Sequence, residues 1–269
     1  MRDGHIHTPY CPHGTADSFK SYIEKAISIG YDTMTFTEHA PLPTSFVDPV
    51  PEKDSGMALA EVESYLSDIN RLQKEYKDDI SIQAGFEVDY IEGYERETET
   101  FLNRYGPELD DSILSVHFIK GNSQWYCIDY SPDMYEEALH DLGGSNHLYQ
   151  AYFNNLRKSA EADLGAYKPS RIGHMTLIRK FKDLFPSPPG WEVRAEQFLK
   201  VLKEQGLELD YNGAGLQKPH CKETYPPKPL ADQASSMGLP LVYGSDAHAV
   251  SGLKQGFSEI DPRILSFNR

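Results

Sequence analysis

Cysteine is scarce in this chain. Its 269 residues carry only Cys11, Cys127 and Cys221, an odd number with no C-x-x-C spacing. That argues against a disulfide framework or a structural zinc knuckle and favours a reducing compartment. Basic residues are also few: 26 Lys and Arg stand against 41 Asp and Glu, a formal charge of -15. Nonspecific binding to duplex nucleic acid needs a basic footprint, so no nucleic-acid partner is expected. No run approaches the roughly 18 apolar residues that span a bilayer. The opening segment MRDGHIHTPYCPHG lacks the apolar stretch of a secretory signal. The expectation is a cytoplasmic protein with no membrane partner. No internal repeat or low-complexity tract is evident, and the length suits one large core, so 1–269 reads as a single domain. The Pro-rich stretches 41–51, 186–189 and 226–229 read as long loops over one face.

Histidine, in contrast, is conspicuously placed. Of ten histidines, His5, His7, His13, His39, His117, His174 and His248 fall at or just after short apolar or β-branched runs. The run 33–37 leads into Glu38 and His39, 80–84 into Gly85, Phe86 and Glu87, and 113–116 into His117. The pair 172–173 leads into His174, and 239–243 into Asp246 and His248. Between these runs, apolar residues recur at helical spacing over 61–76, 146–163 and 192–205, and at Phe19, Tyr22, Ile23, Ala26 and Ile27. Short strands alternating with longer helices predict βαβ units and a parallel sheet. With the HIH segment and 207–211 the candidate strands number seven. If the sheet closes into a barrel, the C-terminal ends of its strands converge on one mouth, where barrel enzymes place their chemistry.

The spacing of the opening pair carries chemistry. One residue separates His5 from His7, so an extended segment puts both imidazoles on one side. Paired neutral imidazoles grip a divalent first-row ion, and Asp246 and His248 repeat the spacing with mixed donors. His13 alone reads equally as a loop surface histidine. His140, His147 and His220 lie near glycines or in a polar loop and are not expected to be ligands. Zinc usually takes four ligands, so this many donors imply two or three ions sharing a carboxylate. Glu87 is the one Glu at a strand-end address after an apolar run. Metal ions about 3.5 to 4 Å apart acidify a bridging water and clamp both oxygens of a displacement at phosphorus, which fits phosphate ester hydrolysis.

The motifs HIHTPYCPHG, TEHA, GFEVDY, SVHF, GHMTLIRKF and GSDAH resemble those of the polymerase and histidinol phosphatase (PHP) family, and they are spread over nearly the whole chain. The length and the SVHF, GHMTLIRKF and LDYNGAG segments look most like its monofunctional L-histidinol-phosphate phosphatases. The resemblance implies a distorted (β/α)7 barrel with a trinuclear centre of zinc, iron or manganese. By motif position His5, His7, Glu87 and Asp246 would hold one ion, and Glu87 would bridge to a second held by His117 and His174. His13, His39 and His248 would hold the third. The implied reaction is hydrolysis of L-histidinol phosphate, a late step of histidine biosynthesis. A metal-bridging hydroxide would attack phosphorus, and Asp246 could also manage the leaving-group proton. The rival substrates are another small phosphomonoester or a phosphodiester. A noncatalytic metal-binding module is the rival of a different class.

Basic residues must meet the phosphate. Arg171 and Arg179 flank His174, and Arg179 reads as a phosphate clamp or as a solvated arginine at a helix start. Lys218 and Lys222, in GLQKPHCK, leave open which lysine reaches the phosphate. Asp89, Asp129 and Asp133 could accept the ammonium or imidazolium of the substrate. Phe118, Trp125 and Tyr126 could pack on its imidazole, although aromatics in a chain with 12% of them are more often core.

Overall fold

Each of the seven candidate runs becomes a strand of one parallel sheet. The computed structural model describes residues 1–266; residues 267–269, part of the single domain expected over 1–269, lie outside the described residues. The strands are β1 (Arg2–Ile6), β2 (Thr33–His39), β3 (Ser81–Asp89), β4 (Ile113–Ser115), the hairpin β5 (Phe118–Lys120) and β6 (Trp125–Cys127), β7 (Arg171–Ile172), β8 (Glu208–Asn212) and β9 (Leu241–Gly244). The hairpin stands apart, and the main sheet runs β1-β2-β3-β4-β7-β8-β9, every neighbour parallel. Closure comes just beyond β9: Ile6 bridges Ala247, the His7 N–H donates to the Ala247 carbonyl at 3.0 Å, and the Asp246 N–H donates to the His5 carbonyl at 2.7 Å. The result is a distorted seven-stranded barrel, closed through the residues that follow the last strand.

The helices are α1 (Phe19–Ser28), α2 (Val62–Glu75), α3 (Glu95–Tyr105), α4 (Pro132–Leu142), α5 (Ser145–Glu161), α6 (Trp191–Gln205) and α7 (Lys228–Ser236). Ser18 caps α1 by accepting from the Ser21 N–H at 3.1 Å, and α4 ends on Gly143 at φ 82°, a left-handed turn that favours glycine. The periodicity reading missed α3, since most of its residues are polar and only Thr98, Leu102 and Tyr105 are buried. The stretch 226–229 is not a long loop. It leads directly into α7, with a proline in the first turn, where the missing N–H has no helical partner to lose.

Strand alternation positions the site. In β2 every residue is buried, as expected of a parallel strand covered on both faces. Phe36 faces the helices, its ring meeting those of Phe19 and Tyr22 at 5.0 and 6.4 Å. Thr35 and Thr37 face inward, Thr35 donating to Gln83 at 3.0 Å and Thr37 accepting from the Ile6 N–H at 3.3 Å. Period two therefore sends His39 inward and Glu38 to the opposite face. In β3 the same alternation turns Glu87 inward, and Gly85 below it leaves room for neighbouring backbone, since a Cβ there would lie 1.7 Å from the Asp111 carbonyl oxygen. β3 extends to Asp89, so Glu87 lies within the strand and not just after it. His5 and His39 likewise lie within their strands.

Candidate metal centre

Glu87 sits at the centre of the barrel mouth with its two oxygens turned to different donor groups. Oε2 is 3.2 Å from His5 Nε2, 3.5 Å from His7 Nε2 and 3.3 Å from His39 Nδ1. Oε1 is 2.8 Å from His174 Nε2 and 3.6 Å from His117 Nε2, and it accepts from Ser115 Oγ at 2.6 Å. Asp246 Oδ1 stands 3.2 Å from His7 Nε2, 3.8 Å from His5 Nε2 and 3.5 Å from His248 Nδ1. The His248 ring stacks on His7 with centroids 3.8 Å apart, and His13 lies 4.9 Å from His39 and 5.2 Å from His248. All nine ligand candidates of the sequence analysis are thus brought together, although they come from both ends of the chain and from four barrel strands between, β2, β3, β4 and β7.

Donor triads form within this cluster. His5, His7 and Glu87 each bring one donor atom within 4.8 Å of the others, as do Glu87, His117 and His174. A further group joins His7, His39 and His248 with Cys11. The sequence reading left Cys11 unassigned, and its position two residues before His13 in HIHTPYCPHG was the available signal.

The donor set fits metal ions. His7 Nε2 and His39 Nε2 are buried and make no hydrogen bond, a cost of about 1–3 kcal/mol each if nothing bound them. Burial disfavours charge on His5, but Glu87, Asp246 and Asp210 outweigh it and hold the imidazole well above its usual range. Burial and the neighbouring His7 push His39 and His248 well below theirs, which leaves both as neutral rings, the form that binds metal. Burial opposes ionisation of Glu87 as well, yet His5 and His117 overcome it and hold the carboxylate well below its ordinary range.

Three of the candidate ligand histidines are held from behind by carboxylates. Asp210 Oδ2 lies 2.9 Å from His5 Nδ1, Glu38 Oε1 lies 3.2 Å from His7 Nδ1, and Asp89 Oδ1 lies 2.8 Å from His117 Nδ1. Each Nδ1 contact leaves Nε2 for the centre and fixes the ring plane. Glu38 also accepts from the Thr8 and His39 N–H groups, both at 2.9 Å. Sequence reasoning missed Glu38 and Asp210 altogether and gave Asp89 to the substrate. Asp89 does line the pocket, but its Oδ1 is also the partner of His117 Nδ1.

The substrate-facing residues need more correction. A pocket of about 660 Å³ opens over the cluster, and Lys180, Lys218, Phe118, Asp129 and Tyr130 line it. Arg171 is not there. It is fully buried at the start of β7, donating to Asp111 at 2.7 Å and to the Gly4 carbonyl at 2.8 Å, because it lies at the strand end remote from the mouth. Arg179 is not a pocket residue either. Its guanidinium pairs with Glu223 at 2.5 Å, donates to Ser187 at 2.5 Å and sits 4.0 Å above the Trp191 ring. The short helical turn Leu177–Arg179 points Arg179 away and lets the next residue, Lys180, reach the pocket. Lys222 is exposed with φ 55° and lies outside the lining, whereas Lys218 belongs to it. Asp133 is exposed in the first turn of α4. Trp125 packs on Phe46 and Tyr126 is buried in the main core, so of the three aromatics only Phe118 reaches the pocket. His140, His147 and His220 lie outside the lining, as expected.

Lys180 Nζ lies 3.0 Å from Asp129 Oδ2. Burial raises the carboxyl, but the Lys180 and His117 charges overcome it and hold Asp129 below the usual range.

Comparison with known proteins places this site in a family. The chain is 46% identical over 249 residues to the histidinol-phosphatase of Bacillus subtilis, covering 92% of this chain and 93% of that protein. A solved structure from Listeria monocytogenes, described as a candidate histidinol phosphatase, superposes with a TM-score of 0.94 at 40% identity, covering 97% of this chain and all of that one. The histidinol phosphate phosphatase of Lactococcus lactis, solved with zinc, L-histidinol and phosphate, shares the fold at 18% identity, with a TM-score of 0.68 over 93% of this chain and 86% of that one. The PHP domain family matches residues 3–214, a span that holds seven of the nine ligand candidates and stops before Asp246 and His248. On these matches the chain belongs to the PHP domain family.

Proposed function

We propose that this chain is a metal-dependent phosphomonoesterase that hydrolyses L-histidinol phosphate to L-histidinol and phosphate, a late step of histidine biosynthesis. The observation that carries the reading is Glu87, set with one oxygen toward each of two histidine groups, in a chain 46% identical to a histidinol-phosphatase over nearly its whole length. It acts as one barrel domain over 1–269, on a small phosphate ester and not on nucleic acid, in keeping with the net charge of -15. No helix among the described residues is long and apolar enough to cross a membrane. The three cysteines are free and buried, which supports a reducing, cytoplasmic setting.

Two or three ions of zinc, iron or manganese would be held by His5, His7, Glu87 and Asp246, by Glu87, His117 and His174, and by His13, His39 and His248. Zinc in the Lactococcus lactis protein makes it the first ion to try. Bound there, such ions would supply positive charge to the phosphoryl group and acidify the attacking water. Lys180 and Lys218, from two different loops, bind the phosphate from the pocket wall. Phe118 offers an apolar face to the imidazole. Asp246, with Oδ1 among the histidines, would take a proton from the attacking water and pass it to the departing alkoxide; Asp246→Asn that kept both full metal content and near-normal turnover would exclude this role.

The test is phosphate release by metal-loaded protein from L-histidinol phosphate, other phosphomonoesters and a phosphodiester, with a chelated control. A large kcat/KM preference for histidinol phosphate that vanishes on chelation is expected. Broad or diester-selective turnover would overturn the substrate, and no turnover by fully loaded protein would favour a noncatalytic module.

A further inference from the structure

β8 is the one barrel strand that brings no ligand to the centre, yet its last residue is fully buried beside it. We propose that this residue, Asn212, is a positioning residue that orients Asp246 and couples it to the Asp210 support of His5. The inference rests on the metal-site reading above.

The hydrogen bonds around Asn212 determine which way its amide points. Its Oδ1 accepts from the Ala214 N–H at 2.9 Å, so Nδ2 must face the other side. There Nδ2 donates to Asp210 Oδ2 at 3.0 Å and to Asp246 Oδ2 at 3.2 Å, one hydrogen for each carboxylate. The backbone of Asn212 is fixed too, exchanging bonds with Tyr225 at 2.8 and 2.9 Å. Asp210 Oδ1 has no hydrogen-bond partner, and Gly244 lies so close that a Cβ there would stand 2.2 Å from that atom. Asp210 is therefore held chiefly by Asn212 and His5.

Asp246 needs such a hold. Its backbone adopts φ 54°, a conformation unusual outside glycine, and both of its oxygens lie among charged or polar groups. By occupying Oδ2, the Asn212 amide leaves Oδ1 as the oxygen that faces His5, His7 and His248. Without the amide the carboxylate can rotate, and Asp210 and Asp246 lose the donor between them. Carboxamide is the group suited to this place, because a carboxylate would add a third anion and a hydroxyl has only one hydrogen to give.

The experiment uses zinc-loaded holoenzyme of wild type, Asn212→Asp and Asn212→Ala, with zinc release to a chromogenic chelator followed in time and kcat and KM measured separately. The first variant keeps the shape and inverts the donor; the second removes the donor without adding buried charge. Both are expected to release one part of their zinc roughly 10- to 100-fold faster than wild type, the rest at the wild-type rate, with a fall in kcat larger than any rise in KM. Release traces that superpose on wild type in either folded variant, even with a lowered Tm, would reduce Asn212 to a structural role and overturn the inference. Wild type that binds no zinc would instead refute the metal-site reading itself.

Discussion

Lys180 Nζ and Asp129 Oδ2 stand 3.0 Å apart in the wall of the pocket, while the neighbouring Arg179 turns outward onto Trp191. Lys180 is thus the basic side chain of GHMTLIRKF that lines the pocket, and the proposed phosphate contact falls to it. A charge-assisted hydrogen bond contributes about 1.5–3 kcal/mol. Lys180→Met is therefore expected to lower kcat/KM for the phosphate ester roughly 10- to 100-fold, with metal content unchanged. Equal kcat/KM in the variant would remove Lys180 from the phosphate site.

Arg179 is tied into the fold and not into the pocket. Its guanidinium bonds Glu223 and Ser187 and stacks on Trp191 while half-buried. Arg179→Ala is expected to cost about 1–3 kcal/mol in urea unfolding, from the lost charged hydrogen bonds and cation–π contact, with little change in kcat/KM. A large loss of kcat/KM at unchanged stability would return Arg179 to the role of phosphate clamp.

Glu87 faces donors on both sides, so under the proposed ion assignment its replacement should strike two sites at once. Glu87→Gln keeps the volume, and metal analysis should find more than one ion-equivalent lost. Turnover should fall by roughly 10³-fold or more, since several kcal/mol of charge stabilisation go with the ions. Full metal occupancy in the variant would contradict the bridging position.

The Asp129 carboxyl has a pH signature of known sign. Burial pushes it up and the Lys180 charge more than reverses that, so its folded pKa is depressed. A depressed acid contributes stability that is present above its unfolded pKa, about 4, and is lost as the pH falls through the folded value. The stability gap between wild type and Asp129→Asn should be flat from roughly pH 5 to 8 and shrink only below about pH 4. A gap that already closes between about pH 5 and 7 would mean that Asp129 is not held down by Lys180.

Glu38 lies behind His7, and Glu38→Gln replaces an acceptor of the His7 Nδ1–H with a group that can also donate. The expectation is a 10- to 100-fold weaker hold on metal, read by competition with a chelator, with the fold retained. Unchanged metal affinity would show that the ring is oriented by packing alone.

The sequence by itself determined the seven parallel strands and singled out the candidate metal ligands that the fold gathers. Strand length, β-branched runs and period two are local properties, and His5, His7, His39, Glu87, His117, His174, Asp246 and His248 are chemically unambiguous donors at one recurrent address. Three things depended on tertiary structure. The carboxylates behind the histidines are set by neighbours across the barrel: Asp210 supports His5 from 205 positions away, and no local pattern encodes that pairing. The choice between Arg179 and Lys180 depends on how one short helical turn rotates, and adjacent residues on such a turn point in different directions. Arg171 has the composition of a phosphate ligand, but it stands at the start of its strand and not the end. The two ends of a barrel strand open on opposite faces, and only one of them holds the site.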